Sequence, residues 1–122
     1  MKKNLEKSDE LTVVDKGTIG YSDCLAFQTA LVDKRIEDKI GNTVLIVEHK
    51  PVITLGARAS ENILLVSKDE LKAEGIDLVQ VRRGGGTTAH NPGQLVFYPI
   101  IKLSTINMGI AEYIANLETI GI

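Results

Sequence analysis

An α/β or α+β fold is predicted from three observations: short β-branched runs of strand length, intervening stretches with helical apolar spacing, and glycines that close both kinds of segment. Residues 1–10 are charged and aperiodic and read as a mobile N-terminal arm, which leaves residues 11–122 as the folded part. A first strand falls at 11–14. After a turn at Gly17 to Gly20, Ser22 is placed to cap a helix whose apolar side combines Leu25, Val32 and Ile36 with Cys24, Phe27 and Leu31, and Gly41 ends it. Residues 43–47 and 52–55 follow as two short strands, with His49-Lys50-Pro51 as the connection and His49 a turn residue. Ser67 and Glu70 have capping-box spacing, so a helix is expected over 68–74 with Gly75 as its stop. Strands are expected at 76–81 and 95–101. Pro99 in the second cannot donate to a ladder, so it belongs at an edge, a bulge or the strand end. The last helix reads from a cap at Asn107 through Ile110, Ile114 and Leu117, at i, i+4 and i+7, to Gly121.

Composition narrows the function. Hydrophobic residues make up 43% and charged residues 25%, as in an ordinary soluble globular domain. The net charge of −2 is spread among interspersed lysines, arginines and carboxylates, which gives no footprint for nucleic acid or an anionic membrane. No apolar run reaches the roughly 18 to 20 residues that span a bilayer, and residues 1–10 are polar where a signal peptide would be apolar, so a cytoplasmic location is expected. The single cysteine, Cys24, excludes an intrachain disulfide and makes no recognisable zinc site; no metal or cofactor is expected.

Chemistry concentrates in residues 82–94, Arg82-Arg83-Gly84-Gly85-Gly86-Thr87-Thr88-Ala89-His90-Asn91-Pro92-Gly93-Gln94, between two predicted strands. The segment is too long for a tight hairpin. Three successive glycines remove every Cβ and let a ligand approach the backbone closely enough to meet its N–H groups, a geometry that suits an acyl chain or carbonyl. Arginines before it and Thr87, Thr88 and His90 after it add donors, hydroxyls and an imidazole. Neither dinucleotide nor P-loop glycine spacing is met. Arg82 reads equally as a solvated charge, and Arg83 as a donor to loop carbonyls.

Arg83-Gly84-Gly85, Thr88, His90, Pro92-Gly93-Gln94-Leu95-Val96 and Tyr98-Pro99 resemble the R-G-G-x-x-T-Y-H-G-P-G-Q-L-V-x-Y-P signature of octanoyl-(acyl carrier protein):protein octanoyltransferases. Pro51-Val52-Ile53-Thr54-Leu55-Gly56 resembles that family's P-V-x-T-L-G strand and turn, and Tyr21 with Gln28 fits its first helix. The resemblance implies the fold of the biotin and lipoate protein ligase superfamily, a mixed β-sheet flanked by helices. It also implies that Arg83, Gly84, Gly85, Gly86, Thr87, Thr88, Ala89 and His90 bind substrate, with residues 54–56 lining the same pocket. Ala89 stands where the family has tyrosine, and Asn91 where it has glycine.

The implied reaction moves an octanoyl group from acyl carrier protein to a lysine of lipoyl domains, those of 2-oxoacid dehydrogenases or of the glycine cleavage H protein. In the family a cysteine nucleophile and an assisting lysine carry it, and both lie beyond the last matched residues. This chain is therefore expected to be a C-terminally truncated, N-terminal part, inactive alone, with Cys24 structural. Apolar surface and open strand edges are then expected to favour self-association or pairing with a second-half polypeptide. Two other readings remain at this point: a fragment of an ATP-dependent lipoate-protein ligase, because of the three glycines after paired arginines, and a non-catalytic acyl- or lipoyl-domain-binding module.

Overall fold

The computed structural model describes residues 10–121. The arm expected over residues 1–10 lies outside the described residues except for Glu10. In chain order the elements are β1 (Thr12–Ile19), α1 (Tyr21–Ile36), β2 (Thr43–His49), β3 (Val52–Leu55), a 3-10 turn (Ala59–Glu61), α2 (Lys68–Ala73), β4 (Asp77–Gln80), β5 (Thr88–His90), β6 (Val96–Ile100), a second 3-10 turn (Leu103–Ile106) and α3 (Ile110–Gly121). The strands form two sheets, ordered β1-β2-β6 and β4-β3-β5. About β3 the pairing is mixed, parallel to β4 and antiparallel to β5. Strands and helices are thus interspersed as the sequence predicts, and Pro99 lies in an edge strand, one of the places a residue without an N–H is tolerated. No helix among the described residues is long and apolar enough to cross a membrane.

Two compact units divide the chain. One takes the chain through residue 14, residues 28–45 and the chain from residue 98; the other takes residues 15–27 and 46–97. In the first, Asn42 is a buried polar hub: its Oδ1 accepts from Arg35 Nε and from the Lys102 N–H, both at 2.9 Å, and its Nδ2 donates to Thr105 Oγ1 at 2.7 Å. Both lone-pair directions and one amide hydrogen are used, which is how a buried amide avoids its desolvation cost. Lys102 also reaches Asp38 at 2.7 Å, and that hydrogen bond and charge, helped by Arg35, hold the Asp38 carboxyl below its usual value.

The second unit is built around β3. Val52 and Thr54 are buried on one face, while Ile53 and Leu55 on the other are partly covered. Along β2 the same period of two buries Thr43 and Leu45, which belong to the first unit, and Val47 and His49, which belong to the second. Helix α2 starts as predicted: Ser67 Oγ accepts from the Glu70 N–H at 3.1 Å, and Glu70 Oε1 accepts from the Ser67 N–H at 3.0 Å. Leu71 is its buried residue.

Several expectations are corrected. β1 does not stop at residue 14 but runs on to Ile19 through Gly17, because sheet pairing overrides the local turn signal. Helix α1 ends at Ile36, five residues before the expected glycine stop at Gly41. Cys24, Leu31 and Arg35, spaced by seven and four, form its buried stripe, whereas Leu25, Val32 and Ile36 are exposed. Asn107 caps no α-helix. It stands at the C-terminus of the second 3-10 turn with φ +52°, a conformation asparagine tolerates, and α3 begins only at Ile110. The apolar spacing in α3 is real, yet none of its residues is buried.

Candidate functional site

Residues 82–94 do not form one open loop. The first part is irregular, but Thr88–His90 adds to the sheet as β5, with Thr88 opposite Thr54, Ala89 opposite Ile53 and His90 opposite Val52. Side chains alternate across a strand, so Thr88 and His90 share the face of Thr54 and Val52, and Ala89 points to the other. Of the predicted substrate-binding residues, Ala89 is therefore separated from its neighbours, on the face of Ile53.

Side chains from three places fix the glycine segment. The Arg83 guanidinium donates from Nη2 to Thr54 Oγ1 at 2.6 Å and to the Thr54 carbonyl at 3.1 Å, and from Nη1 to the Gly84 carbonyl at 2.9 Å. It thus serves as a clamp between β3 and the loop, one of the two roles open to it from sequence. Gln80 Nε2 donates to the Gly56 carbonyl at 2.8 Å. Thr87 Oγ1 accepts the Ile63 N–H at 2.9 Å. Two glycines are required by close approach: a Cβ on Gly56 would collide with the Gly85 carbonyl oxygen, and a Cβ on Gly86 with the Glu61 carbonyl oxygen.

These contacts orient the loop backbone. The Arg83 carbonyl accepts the Ala57 N–H at 3.0 Å, the Gly84 carbonyl accepts from Arg83, and the Gly85 carbonyl lies against Gly56. Among the described residues every peptide bond is trans, so in each plane the N–H points opposite to the C=O. The N–H groups of Gly84, Gly85 and Gly86 consequently point away from the groups that hold the carbonyls. Among the described residues, no protein acceptor takes any of the three. Gly85 has φ +79°, which lets the chain reverse between these planes. Successive N–H groups presented in this way favour an oxygen carrying partial or full negative charge.

Beside β5 stands a cluster of rings. His90 is stacked on Tyr21 with centroids 6.3 Å apart and planes at 12°, and His49 lies 5.1 Å from Tyr21 and 5.6 Å from His90. His49, expected in a turn, is the last residue of β2 and wholly buried. Extending the alternation Thr43, Leu45, Val47 by one more step would have placed it there. Its Nδ1 faces the Ile19 carbonyl at 3.3 Å, so that nitrogen carries the proton. Burial, with the neighbouring His90 charge, lowers the His49 pKa against the opposing pull of the Ile19 carbonyl, and the ring is neutral near pH 7. His90 Nδ1 pairs with Gln94 Oε1 at 2.7 Å. The rings of Tyr21 and His90, backed by buried His49, form an aromatic surface that can meet an apolar group. Among the described residues no third His, Cys, Asp or Glu joins the histidines as a metal-ligating group.

A cleft of about 310 Å³ lies elsewhere, in the other unit, between Val32, Ile36 and residues 99–102; none of residues 83–90 lines it. Cys24 is buried within α1.

Known proteins share sequence and fold with this chain. The sequence profile of the lipoyl protein ligase A/B catalytic domain matches residues 20–122. The octanoyltransferase of Roseiflexus sp. (strain RS-1) is 44% identical over 108 residues, which are 88% of this chain and 45% of the relative. The octanoyltransferase of Desulfotalea psychrophila is 44% identical over 107 residues, 87% of this chain and 48% of the relative. The chain thus spans about half the length of the curated relatives it matches. Among solved structures, P. falciparum LipL1 in complex with lipoate superposes with a TM-score of 0.55 at 15% identity, covering 72% of this chain and 29% of that one, a likeness of fold. With the profile matching most of its length, this chain belongs to the lipoyl protein ligase A/B catalytic-domain family.

Proposed function

We propose that this chain carries the acyl-binding part of an octanoyltransferase of lipoate biosynthesis. The reaction transfers an octanoyl group from the thioester of acyl carrier protein to the ε-amine of a lysine in a lipoyl domain. A C–S bond breaks, a C–N bond forms, and the amine proton ends on the departing thiol. The observation that carries the proposal is the glycine segment, whose pinned carbonyls leave the Gly84, Gly85 and Gly86 N–H groups without protein acceptors among the described residues. Those donors suit an acyl carbonyl, on which negative charge grows during acyl transfer. Thr87, Thr88 and His90 complete the polar edge, Arg83 holds the loop in place, and the rings of Tyr21 and His90, backed by buried His49, offer a wall for the alkyl chain. The names of the 44%-identical relatives support octanoyl transfer over ATP-dependent ligation.

Transfer itself is assigned to groups other than Cys24, because a thiol enclosed in a helix cannot reach a carrier-bound thioester. The 122 residues alone are accordingly proposed to bind the acyl group without turning it over. Titrating the ¹⁵N-labelled chain with octanoate is expected to move the amide signals of Gly84, Gly85 and Gly86, and incubation with octanoyl-acyl carrier protein and a lipoyl domain to give no octanoylated product. Unmoved glycine signals would remove the binding claim. Product formation abolished by Cys24→Ser would remove the assignment of chemistry, and lipoate-dependent pyrophosphate release from ATP would turn the reading towards a ligase.

A further inference from the structure

We infer that Asn62 is a positioning residue for the glycine N–H groups, an inference that rests on the reading of those groups as the acyl-carbonyl site. Asn62 follows the Ala59–Glu61 turn and is held there by its own N–H, which donates to the Ala59 carbonyl at 3.1 Å. Its side chain folds back on Gly56. Oδ1 accepts the Gly56 N–H at 2.9 Å and Nδ2 donates to the Gly56 carbonyl at 3.0 Å, so the amide treats Gly56 as a neighbouring strand would. Nδ2 also reaches the Arg58 carbonyl at 3.3 Å.

Gly56 is the residue against which the Gly85 carbonyl rests, with no room for a Cβ between them. The plane of the Gly85–Gly86 peptide, and hence the direction of the Gly86 N–H, follows from where Gly56 sits. The residues on either side of Asn62 touch the same loop: the Glu61 carbonyl lies against Gly86, and the Ile63 N–H donates to Thr87 Oγ1 at 2.9 Å. Asn62 is therefore the middle of three consecutive contacts that set the loop. The chemistry requires asparagine in particular. Aspartate would keep the acceptor but bring a second oxygen against the Gly56 and Arg58 carbonyls, and alanine would leave both Gly56 groups without this partner.

The test uses the full ¹⁵N-labelled chain and sodium octanoate as probe. In the ligand-free Asn62→Ala and Asn62→Asp variants the Gly85 and Gly86 amide signals are expected to shift, and octanoate affinity to fall about tenfold or more. Ser67→Ala, which loses a helix cap away from Gly56, serves as the control for general destabilisation and is expected to leave those signals in place. Wild-type chain supplies a measurement independent of variant folding: the Asn62 Nδ2 hydrogens are expected to move with Gly85 and Gly86 and saturate at the same octanoate concentration. Superimposable Gly85 and Gly86 signals in Asn62→Ala, or an Asn62 amide that stays still while the glycines move, would overturn the inference. A wild-type chain that ignores octanoate would overturn the acyl reading, while the ligand-free shifts would still judge whether Asn62 sets the loop.

Discussion

The glycine segment and helix α3 (Ile110–Gly121) are opposite solutions to holding a chain in place. In the segment almost nothing apolar is buried; the Arg83 guanidinium ties it to the Thr54 and Gly84 carbonyls, and its glycines lie in backbone contact with Gly56 and Glu61, Gly56 itself being held by the Asn62 and Gln80 amides. In α3 the apolar residues recur at helical spacing, but Ile110 is 70% exposed, Ile114 50% and Leu117 42%. Directional bonds fix where a peptide plane points, which a binding backbone needs; apolar spacing alone fixes only which face a helix would bury.

The sharpest way to break this contrast is to crowd the glycine contact. Gly56→Ala puts a methyl into the Gly85 carbonyl oxygen, a backbone atom that cannot swing aside. It is expected to cost about 3 kcal/mol, at the upper end of overpacking penalties, and to abolish octanoate-induced shifts of the loop amides. Urea unfolding measures the first part and the titration the second. A stability within about 0.5 kcal/mol of wild type would show that the loop yields, and that the contact does not define it.

Next in size is the guanidinium clamp. Arg83→Lys keeps the charge but replaces a planar fork that meets two Thr54 oxygens and one loop carbonyl by a single ammonium. A loss of about 1.5 to 3 kcal/mol is expected, because the partly buried Thr54 acceptors lose their donor. If charge alone mattered, lysine would retain most of the stability.

The ring cluster gives a smaller, pH-dependent effect. The His49 pKa is lowered in the fold, so the unfolded chain binds its proton first as pH falls. The contribution is complete above the ordinary imidazole value of about 6.5 and is lost progressively as pH drops from there to the depressed folded value, below which no further loss accrues from this group. Asp38 acts the same way at lower pH, its partnership with Lys102 being lost as the carboxyl protonates. Unfolding measured between pH 7.5 and 5 is expected to weaken towards acid, and His49→Gln to flatten the slope. An unchanged slope in that variant would assign the dependence elsewhere.

Legibility in sequence followed the range of the interactions. Residues 43–47 and 52–55 were readable as strands because their own β-branched residues favour that state, and the capping box because its partners are three residues apart. β5 was not, since Thr88-Ala89-His90 is too short to show a period and becomes a strand only by pairing with β3. The site was legible as a glycine motif and illegible as a mechanism of orientation. Asn62 and Gln80 act on backbone groups 6 and 24 residues away, and nothing in their own neighbourhood announces that. His49 reads as part of the connection for a different reason, that Lys50-Pro51 follows it; the strand alternation continues through His49, and the connection begins at Lys50.

The smallest expected effect completes the contrast from the side of α3. Ile114 lies half in solvent, so truncation to serine removes little buried surface and creates no enclosed cavity. Helix propensity differs slightly between the two residues, and the net change is expected to stay within about 0.5 kcal/mol. Leu71, by comparison, is 4% exposed, and Leu71→Ala is expected to cost about 2 to 5 kcal/mol. Both variants belong in one set of urea melts of the 122-residue chain. If Ile114→Ser cost as much as Leu71→Ala, the α3 face would be enclosed in solution, and the helix would be held by packing as firmly as the glycine segment is held by its clamps.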